Sequence, residues 1–304
     1  MADSTAGARP GNPSTREAWI IAARPRTLPA AVAPVLVGSA LAQFDGVFRL
    51  DSFVLAMVGA LAIQVAANFA NDASDAKRGA DVERVGPPRM VTAGVISPKQ
   101  MWTGVAVAVA VSGATGVWLF TIAGWPILVI GVVSVAAMLT YVGGPIPYGY
   151  RGLGEVMVFV FFGFVATVGT RFAHDGNAAL SAWILGAVMG SLAAAILMAN
   201  NIRDLETDER AGKRTLAVLV GPDRSRLLYS ALLIGPFALI AVAAGAGWIP
   251  ILAGISVVLL PLARPLIARV YRESSPDALI AVLAGTARLQ LTVAVGLSLG
   301  ALAS

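Results

Sequence analysis

Residues 101–141 decide the fold class and read MWTGVAVAVAVSGATGVWLFTIAGWPILVIGVVSVAAMLTY. They include no Lys, Arg, Asp or Glu, and an α-helix needs about 20 apolar residues to cross a bilayer. This stretch is therefore long enough for two transmembrane helices. The whole chain agrees, because 13% of its residues are charged, roughly half the usual share in a soluble domain. The sequence predicts an all-α, polytopic membrane protein.

Hydropathy predicts nine transmembrane helices. They lie near residues 19–43, 52–71, 100–122, 125–142, 154–172, 180–200, 225–245, 249–268 and 279–302. Long polar stretches follow the second and sixth helices, giving aspartate-rich segments at 68–99 and 200–224. Residues 1–17, rich in Gly, Pro and Ser near their start, are predicted to be a disordered tail. Residues 18–304 are predicted to form one membrane domain.

The basic residues predict the orientation. With the N-terminus in the cytoplasm, 19 of the 22 Lys and Arg residues fall in cytoplasmic segments, as the positive-inside rule requires. Arg49 and Arg171 fall on the other side, and Arg288 lies within the last helix. Both aspartate-rich segments are then cytoplasmic. The net charge of +5 is explained by topology, so we expect no nucleic-acid partner.

Several kinds of site are excluded by composition. The chain has no cysteine, which excludes disulfides, thiolate catalysis and Cys-ligated metals. His174 is the one histidine, so a zinc site built from several histidines is excluded. It falls in a short polar connection, and we assign it no role.

The two aspartate-rich segments share the pattern Asn-x-x-x-Asp, and four predicted helices separate them. If each preceding helix continues past the membrane, residues at these spacings stack on one helix face. The two predicted columns are Asn68, Asp72 and Asp75, and Asn200, Asp204 and Asp208. Each column is predicted to be one half of a shared site.

Oxygen ligands without His or Cys select a hard cation such as Mg²⁺. Magnesium is usually held by one or two carboxylates together with phosphate oxygens, so facing columns would hold Mg²⁺ around a diphosphate. Positive charge nearby comes from Lys77, Arg78, Arg203, Lys213 and Arg214.

The remaining acidic residues of these segments are interpreted as solvated loop charges. They are Asp81, Glu83, Glu206, Glu209 and Asp223.

These motifs resemble those of the UbiA superfamily of intramembrane prenyltransferases, which carry two such motifs after the second and sixth of nine helices. The second motif fits fully, whereas the first has Asp75 three residues after Asp72. Further stretches resemble the branch that prenylates 1,4-dihydroxy-2-naphthoate in menaquinone synthesis. They are RPRTLPAAVAP (24–34), RVGP (84–87), GGP (143–145), GLGE (152–155), the run 200–215 and TARLQ (286–290).

The resemblance implies a Mg²⁺-dependent transfer of a polyprenyl chain from its diphosphate to dihydroxynaphthoate. Diphosphate and CO₂ are released, and demethylmenaquinol forms at the cytoplasmic face of a bacterial cell membrane. The implied metal ligands are the six members of the two columns. The implied catalytic residues are Asp72, Asp204, Asp208, Arg78, Lys213 and Tyr141. The implied substrate-binding residues are Asn68, Asn200, Asn201, Arg24, Glu155 and Arg288.

Some roles have alternatives. Tyr141 either shields the prenyl cation with its ring or anchors the helix end at the membrane interface. Glu155 pairs with a basic group, orients the aromatic substrate, or compensates a helix N-terminus. Arg288 lies deep enough to require a carboxylate partner or a cavity, unless a shifted boundary lets it reach the interface.

Two alternatives remain for the whole chain. One is a prenyltransferase for another aromatic acceptor, such as 4-hydroxybenzoate. The other is a cation-coupled transporter, although transporter sites lie near the bilayer midplane, whereas these motifs lie at helix ends.

Overall fold

The computed structural model describes residues 13–78, 88–144 and 147–304. These residues form helices and turns and contain no β-strand, which confirms the all-α prediction. The helices are α1 (Thr15–Ala23), α2 (Pro29–Phe44), α3 (Leu50–Arg78), α4 (Pro98–Ala123), α5 (Pro126–Val142), α6 (Gly154–Asp175), α7 (Leu180–Arg203), α8 (Leu205–Arg210), α9 (Leu216–Val220), α10 (Pro222–Gly245), α11 (Ile251–Arg272) and α12 (Pro276–Ala303). Most of the predicted tail lies outside the described residues, and α1 already begins at Thr15.

The first predicted helix is wrong as a single element. It is divided into α1 and α2, which are bent by 53°. Pro25 and Pro29 bracket the break, and a proline disfavours helical backbone at the residue before it. Arg24 has φ 52° and is the one described residue other than glycine with a positive φ, a conformation that side chains adopt at some cost. The bend directs Arg24 and Thr27 into the bundle.

The chain is a multi-pass membrane protein. Within the described ranges, seven helices are long and apolar enough to cross a bilayer, and the bent pair α1–α2 is an eighth candidate. The helix α5 is apolar but shorter, at 17 residues. The prediction of nine crossings therefore depends on α5. It stays a prediction, as does the side of the membrane that holds the N-terminus.

Close helix packing sets the centre of the bundle. α7 is the most buried of the spans, with 67% of its apolar window inside the protein. A Cβ built on Gly190 would lie 2.5 Å from the Phe159 carbonyl oxygen, and one on Gly163 would lie 2.6 Å from that of Gly186. Glycine at these positions lets α6 approach α7, as small residues do in membrane bundles. The approach fixes the position of α7, which ends at Arg203 in the second of the two polar segments.

At the end of the bundle opposite those polar segments, the prediction for His174 is wrong. It lies within α6, which continues to Asp175, and its side chain is buried. Its Nδ1 accepts a hydrogen bond from the Arg49 backbone N–H at 2.9 Å, and its ring stacks on Phe48. His174 therefore joins the α2–α3 connection to α6.

Candidate active site

A polar cavity of about 190 Å³ lies where the ends of α3, α5 and α7 meet the α1–α2 break. Its charged lining residues are Arg24, Asp75, Arg89, Asp204, Asp208 and Lys213. Asn71, Asn200, Asn201, Gln64, Thr27 and Tyr141 are among its other polar lining residues. The two aspartate-rich segments therefore contribute to one cavity, as their matching patterns predict.

The second motif lies on this cavity as predicted, although its helix is interrupted. α7 ends at Arg203, and α8 starts at Leu205. Asp204, between them, accepts from the Arg203 guanidinium at 2.7 Å and from Asn200 Nδ2 at 3.3 Å. Asp208 lies 3.4 Å from the Lys213 ammonium. The break turns α8 while Asn200, Asp204 and Asp208 all keep contact with the cavity.

The first motif lies in a different register from the predicted one. Asn71 and Asp75 line the polar cavity, whereas Asn68 and Asp72 do not. Both pairs have the four-residue spacing of Asn200 and Asp204, so the spacing does not select between them, whereas the lining of the cavity does. We therefore take the matched pairs to be Asn71/Asp75 and Asn200/Asp204.

Asn68 and Asp72 make packing contacts, and Asn68 also lines an adjoining apolar cavity. Asn68 Nδ2 donates to the Ala23 carbonyl at 2.9 Å and to Thr27 Oγ1 at 3.1 Å, at the α1–α2 break. Asp72 is buried, and its two oxygens accept the backbone N–H groups of Met90 and Val91 at 3.0 and 3.1 Å. Asp72 thus anchors the connection that precedes α4.

That anchored connection places Arg89, which the sequence reasoning missed, in the cavity wall. Arg89 is buried, and its Nη2 lies 3.1 Å from Asp75 Oδ2. The sequence places Arg89 only among the basic residues of the cytoplasmic segments, and that assignment does not predict a contact with Asp75. A buried arginine must be satisfied by partners that come from elsewhere in the chain.

The donor set of the cavity fits a magnesium diphosphate. In the part of the chain that the structure describes, no three His, Asp or Glu side chains cluster tightly enough to hold a metal ion alone. Mg²⁺ does not require such a cage, since it takes one or two carboxylates plus phosphate oxygens. Asn71 Oδ1 is buried beside the cavity with no hydrogen-bond partner in the described chain. This unsatisfied oxygen, together with Asp75 and Asp204, suits a hard cation.

An apolar cavity of about 350 Å³ adjoins the polar one. The two share six lining residues, which are Gln64, Asn71, Tyr141, Val158, Phe162 and Leu197. The apolar cavity reaches Leu55 on α3, sixteen residues before Asn71, so it extends roughly 24 Å at 1.5 Å per residue. The pair of cavities suits an amphiphile with a charged head and a long apolar tail.

Tyr141 lies between the two cavities and contacts Tyr148 ring edge to face, with the centroids 5.4 Å apart. This position is the one a cation shield requires, so it favours that interpretation over an interfacial anchor. Tyr148 also lines the apolar cavity. Burial raises the pKa of its hydroxyl to about 12, so the group is neutral at pH 7.

Of the other predicted site residues, some line the polar cavity and some do not. Arg24 and Asn201 line the polar cavity. Glu155 is buried beside it, with Oε1 accepting from Asn201 Nδ2 at 2.8 Å. Arg78 lies outside the lining and donates to the Gly144 carbonyl at 3.0 Å.

The substrate-binding role of Arg288 stays a prediction. Its side chain is exposed on α12, lines neither cavity, and donates back to the Ala284 carbonyl of its own helix at 3.3 Å. The predicted loop charges Asp81 and Glu83 lie outside the described residues.

The sequence of this chain is similar to those of known proteins. The sequence profile of the UbiA prenyltransferase family matches residues 31–292. The chain belongs to the UbiA prenyltransferase family. The protein named 1,4-dihydroxy-2-naphthoate octaprenyltransferase in Mycobacterium leprae is 40% identical over 216 residues, which are 71% of this chain and 74% of that protein. The Escherichia coli protein of the same name is 35% identical over 289 residues, covering 90% and 92% of the two chains.

Solved UbiA structures share the fold. A UbiA homolog from Archaeoglobus fulgidus, bound to GPP and Mg²⁺, superposes with a TM-score of 0.59, covering 94% of this chain and all of that one. Its sequence is 17% identical. Membership in this family identifies the chain as a prenyltransferase and argues against the transporter alternative.

Proposed function

We propose that this UbiA-family enzyme transfers a polyprenyl chain to 1,4-dihydroxy-2-naphthoate, releasing diphosphate and CO₂ and forming demethylmenaquinol. The supporting observation is the continuity of the polar and apolar cavities around Tyr141. It matches a donor with a diphosphate head and a polyprenyl tail. The choice of acceptor is supported by relatives 35–40% identical that are named for this substrate.

The polar cavity is proposed to bind the diphosphate. Arg24, Arg89 and Lys213 supply positive charge to a leaving group that gains negative charge, which is where preorganised charge lowers a barrier most. Asn71, Asp75, Asn200, Asp204 and Asp208 are the residues proposed to hold Mg²⁺. When bound, the ion supplies Lewis-acid stabilisation of that charge and a template for the two substrates.

The apolar cavity and Tyr141 are proposed to protect the reacting carbon. When the allylic C–O bond breaks, its electron pair leaves with the diphosphate, and the positive carbon lies beside the Tyr141 ring, whose face attracts cations. Apolar walls keep water from that carbon. The ring carbon that bears the carboxylate forms the new C–C bond. The bonding pair released with CO₂ then restores the aromatic ring.

The acceptor is proposed to enter on the Glu155 and Asn201 side. Glu155 Oε2 is buried with no hydrogen-bond partner in the described chain, so it is available to accept a hydroxyl hydrogen. The positive-inside distribution supports a cytoplasmic site in a bacterial cell membrane.

The test is an assay in membranes or detergent with Mg²⁺ and polyprenyl diphosphate, offering dihydroxynaphthoate and 4-hydroxybenzoate in parallel. We expect prenylated naphthoquinol, and no product when the cation is chelated. Turnover of 4-hydroxybenzoate alone would overturn the proposed acceptor. Absence of diphosphate release with both acceptors would overturn the proposed function.

Filling the apolar cavity should select against long donors. Gly116 on α4 lines this cavity, and a Cβ there would meet open space. Gly116→Leu is therefore expected to fold but to occupy the volume of the tail. Forcing extra groups into a filled site costs about 1–3 kcal/mol, so kcat/KM for the long donor should fall at least about fivefold. The measurement compares octaprenyl with geranyl diphosphate, and the short donor should be less affected.

Gly113→Leu is the matched control. Gly113 lies one turn earlier on α4, a Cβ there also meets open space, and it lines neither cavity. It should leave both donors unchanged. Equal effects of Gly116→Leu on long and short donors would count against the apolar cavity as the tail site.

A further inference from the structure

Tyr150 connects the two halves of the site. It lies in the α5–α6 connection, in the short 3-10 turn Tyr148–Tyr150. Its backbone carbonyl accepts the Arg214 N–H at 3.1 Å, which ties this connection to the segment after α8. It lines neither cavity, so any effect on the reaction acts through its neighbours.

The hydroxyl of Tyr150 holds the first half. It donates to Asp75 Oδ1 at 3.0 Å, while Arg89 binds Oδ2 of the same carboxylate. An ionised carboxylate has about four lone-pair sites, so Asp75 keeps acceptor capacity for a cation in the cavity. The two hydrogen bonds fix the orientation of the carboxylate and therefore the direction in which its remaining lone pairs point.

The ring of Tyr150 holds the second half. The Lys213 ammonium lies 5.1 Å from the ring centroid, within the range of a cation–π contact. Lys213 also pairs with Asp208 at 3.4 Å and lines the polar cavity. The Arg78 guanidinium lies 5.4 Å from the same ring. One side chain therefore contacts an acidic group of the first segment and a basic group of the second.

We infer that Tyr150 is a positioning residue that couples the two halves, its hydroxyl orienting Asp75 and its ring orienting Lys213 toward a shared magnesium diphosphate. This inference rests on the proposed function. Partners that orient a metal-binding carboxylate typically contribute 10- to 100-fold to metal affinity or activity. The hydroxyl and the ring should therefore have separable effects.

Two substitutions separate them. Tyr150→Phe keeps the ring and removes the bond to Asp75, so the Mg²⁺ concentration for half-maximal activity should rise about tenfold with kcat at saturating Mg²⁺ nearly unchanged. Tyr150→Leu also removes the ring and should additionally raise KM for polyprenyl diphosphate. In an Asp75→Asn background, Tyr150→Phe should add little, because contacting residues are not additive.

A second readout is independent of turnover. Ligands that bind the folded protein raise its Tm in proportion to ln(1 + [L]/Kd). Titrating Mg²⁺ with inorganic diphosphate should raise the Tm of the wild type, and the Tyr150→Phe curve should move to about tenfold higher Mg²⁺. Tyr229→Phe is the control, since its buried hydroxyl bonds Thr286 at 2.8 Å away from the site. It should lower Tm without moving the Mg²⁺ dependence.

The outcomes are distinguishable. Wild-type protein that transfers no prenyl group contradicts the proposed function, whatever the variants do. An active wild type, with Tyr150→Phe showing an unshifted Mg²⁺ dependence in both assays, overturns the inference. A lowered Tm in Tyr150→Phe with unshifted Mg²⁺ dependence, as expected for Tyr229→Phe, would assign Tyr150 to folding alone and also overturn it.

Discussion

Asp75→Asn and Asp204→Asn are each expected to lower kcat/KM for prenyl transfer by more than about 100-fold. Residues that only orient a metal ligand already contribute 10- to 100-fold, and these carboxylates line the polar cavity directly. Each substitution keeps the shape of the side chain and removes its charge. The measurement is steady-state turnover at saturating Mg²⁺, with Tm recorded for each variant to detect misfolding.

Asp72→Asn is the comparison that tests the register. Asp72 accepts two backbone N–H groups of the connection carrying Arg89. An amide replaces one of those acceptors with a donor. We expect a loss of activity below about tenfold, accompanied by a lower Tm, because a typical net hydrogen bond contributes about 1 kcal/mol. If Asp72→Asn lowers activity as much as Asp75→Asn does and leaves the Tm unchanged, Asp72 is a metal ligand and the proposed register is wrong.

The asparagines provide a second matched pair. Asn71 Oδ1 has no hydrogen-bond partner in the described chain, so Asn71→Ala should raise the Mg²⁺ requirement with little change in Tm. Asn68 bonds Ala23 and Thr27, so Asn68→Ala should mainly lower Tm. The reverse pattern would contradict the assignment of the cavity-facing pair.

The sequence was sufficient for the fold class because a bilayer imposes a simple rule. A spanning helix must be apolar for about 20 residues, and that requirement is visible in residues 101–141 without any tertiary information. The break at Arg24–Leu28 was missed, although Pro25 and Pro29 signal it. Apolar content alone does not distinguish one bent pair from one helix.

The site was predictable where spacing was unambiguous. Asn200, Asp204 and Asp208 form one Asn-x-x-x-Asp-x-x-x-Asp series, and all three line the cavity. The first segment holds two overlapping pairs, Asn68/Asp72 and Asn71/Asp75. Three residues turn a helix by roughly 300°, so the two pairs face directions only about 60° apart.

The choice between the two pairs is made by contacts distant in sequence. Met90 and Val91 require acceptors for their backbone N–H groups, and Asp72 supplies them. Arg89 and Tyr150 then bind Asp75. Local periodicity carries no information about these partners, and both pairs match the spacing of Asn200/Asp204 equally well.

Arg171→Met is expected to destabilise the fold by about 3 kcal/mol while sparing catalysis. The Arg171 side chain is 3% exposed and lies 2.7 Å from both Asp45 and Asp175, at the end of the bundle away from the polar cavity. Removing one member of a buried ion pair costs about 3–5 kcal/mol. We take the lower figure because the two carboxylates are 27% and 26% exposed.

Arg49→Ala is the matched control for this prediction. Its pair with Asp51 is exposed, at 48% and 41%, so solvent screens the two charges and the loss of the pair should change stability little. Thermal unfolding in detergent should place Arg171→Met roughly 6–12 °C below the wild type and Arg49→Ala close to it. Arg171 and Arg49 are the two basic residues predicted outside the cytoplasm, so topology alone predicts the same effect on stability when either is replaced. A similar Tm for both variants would mean that the contacts of Arg171 add nothing beyond its charge. A large difference would show that the pairs of Arg171 with Asp45 and Asp175 stabilise the contact between the end of α2 and α6.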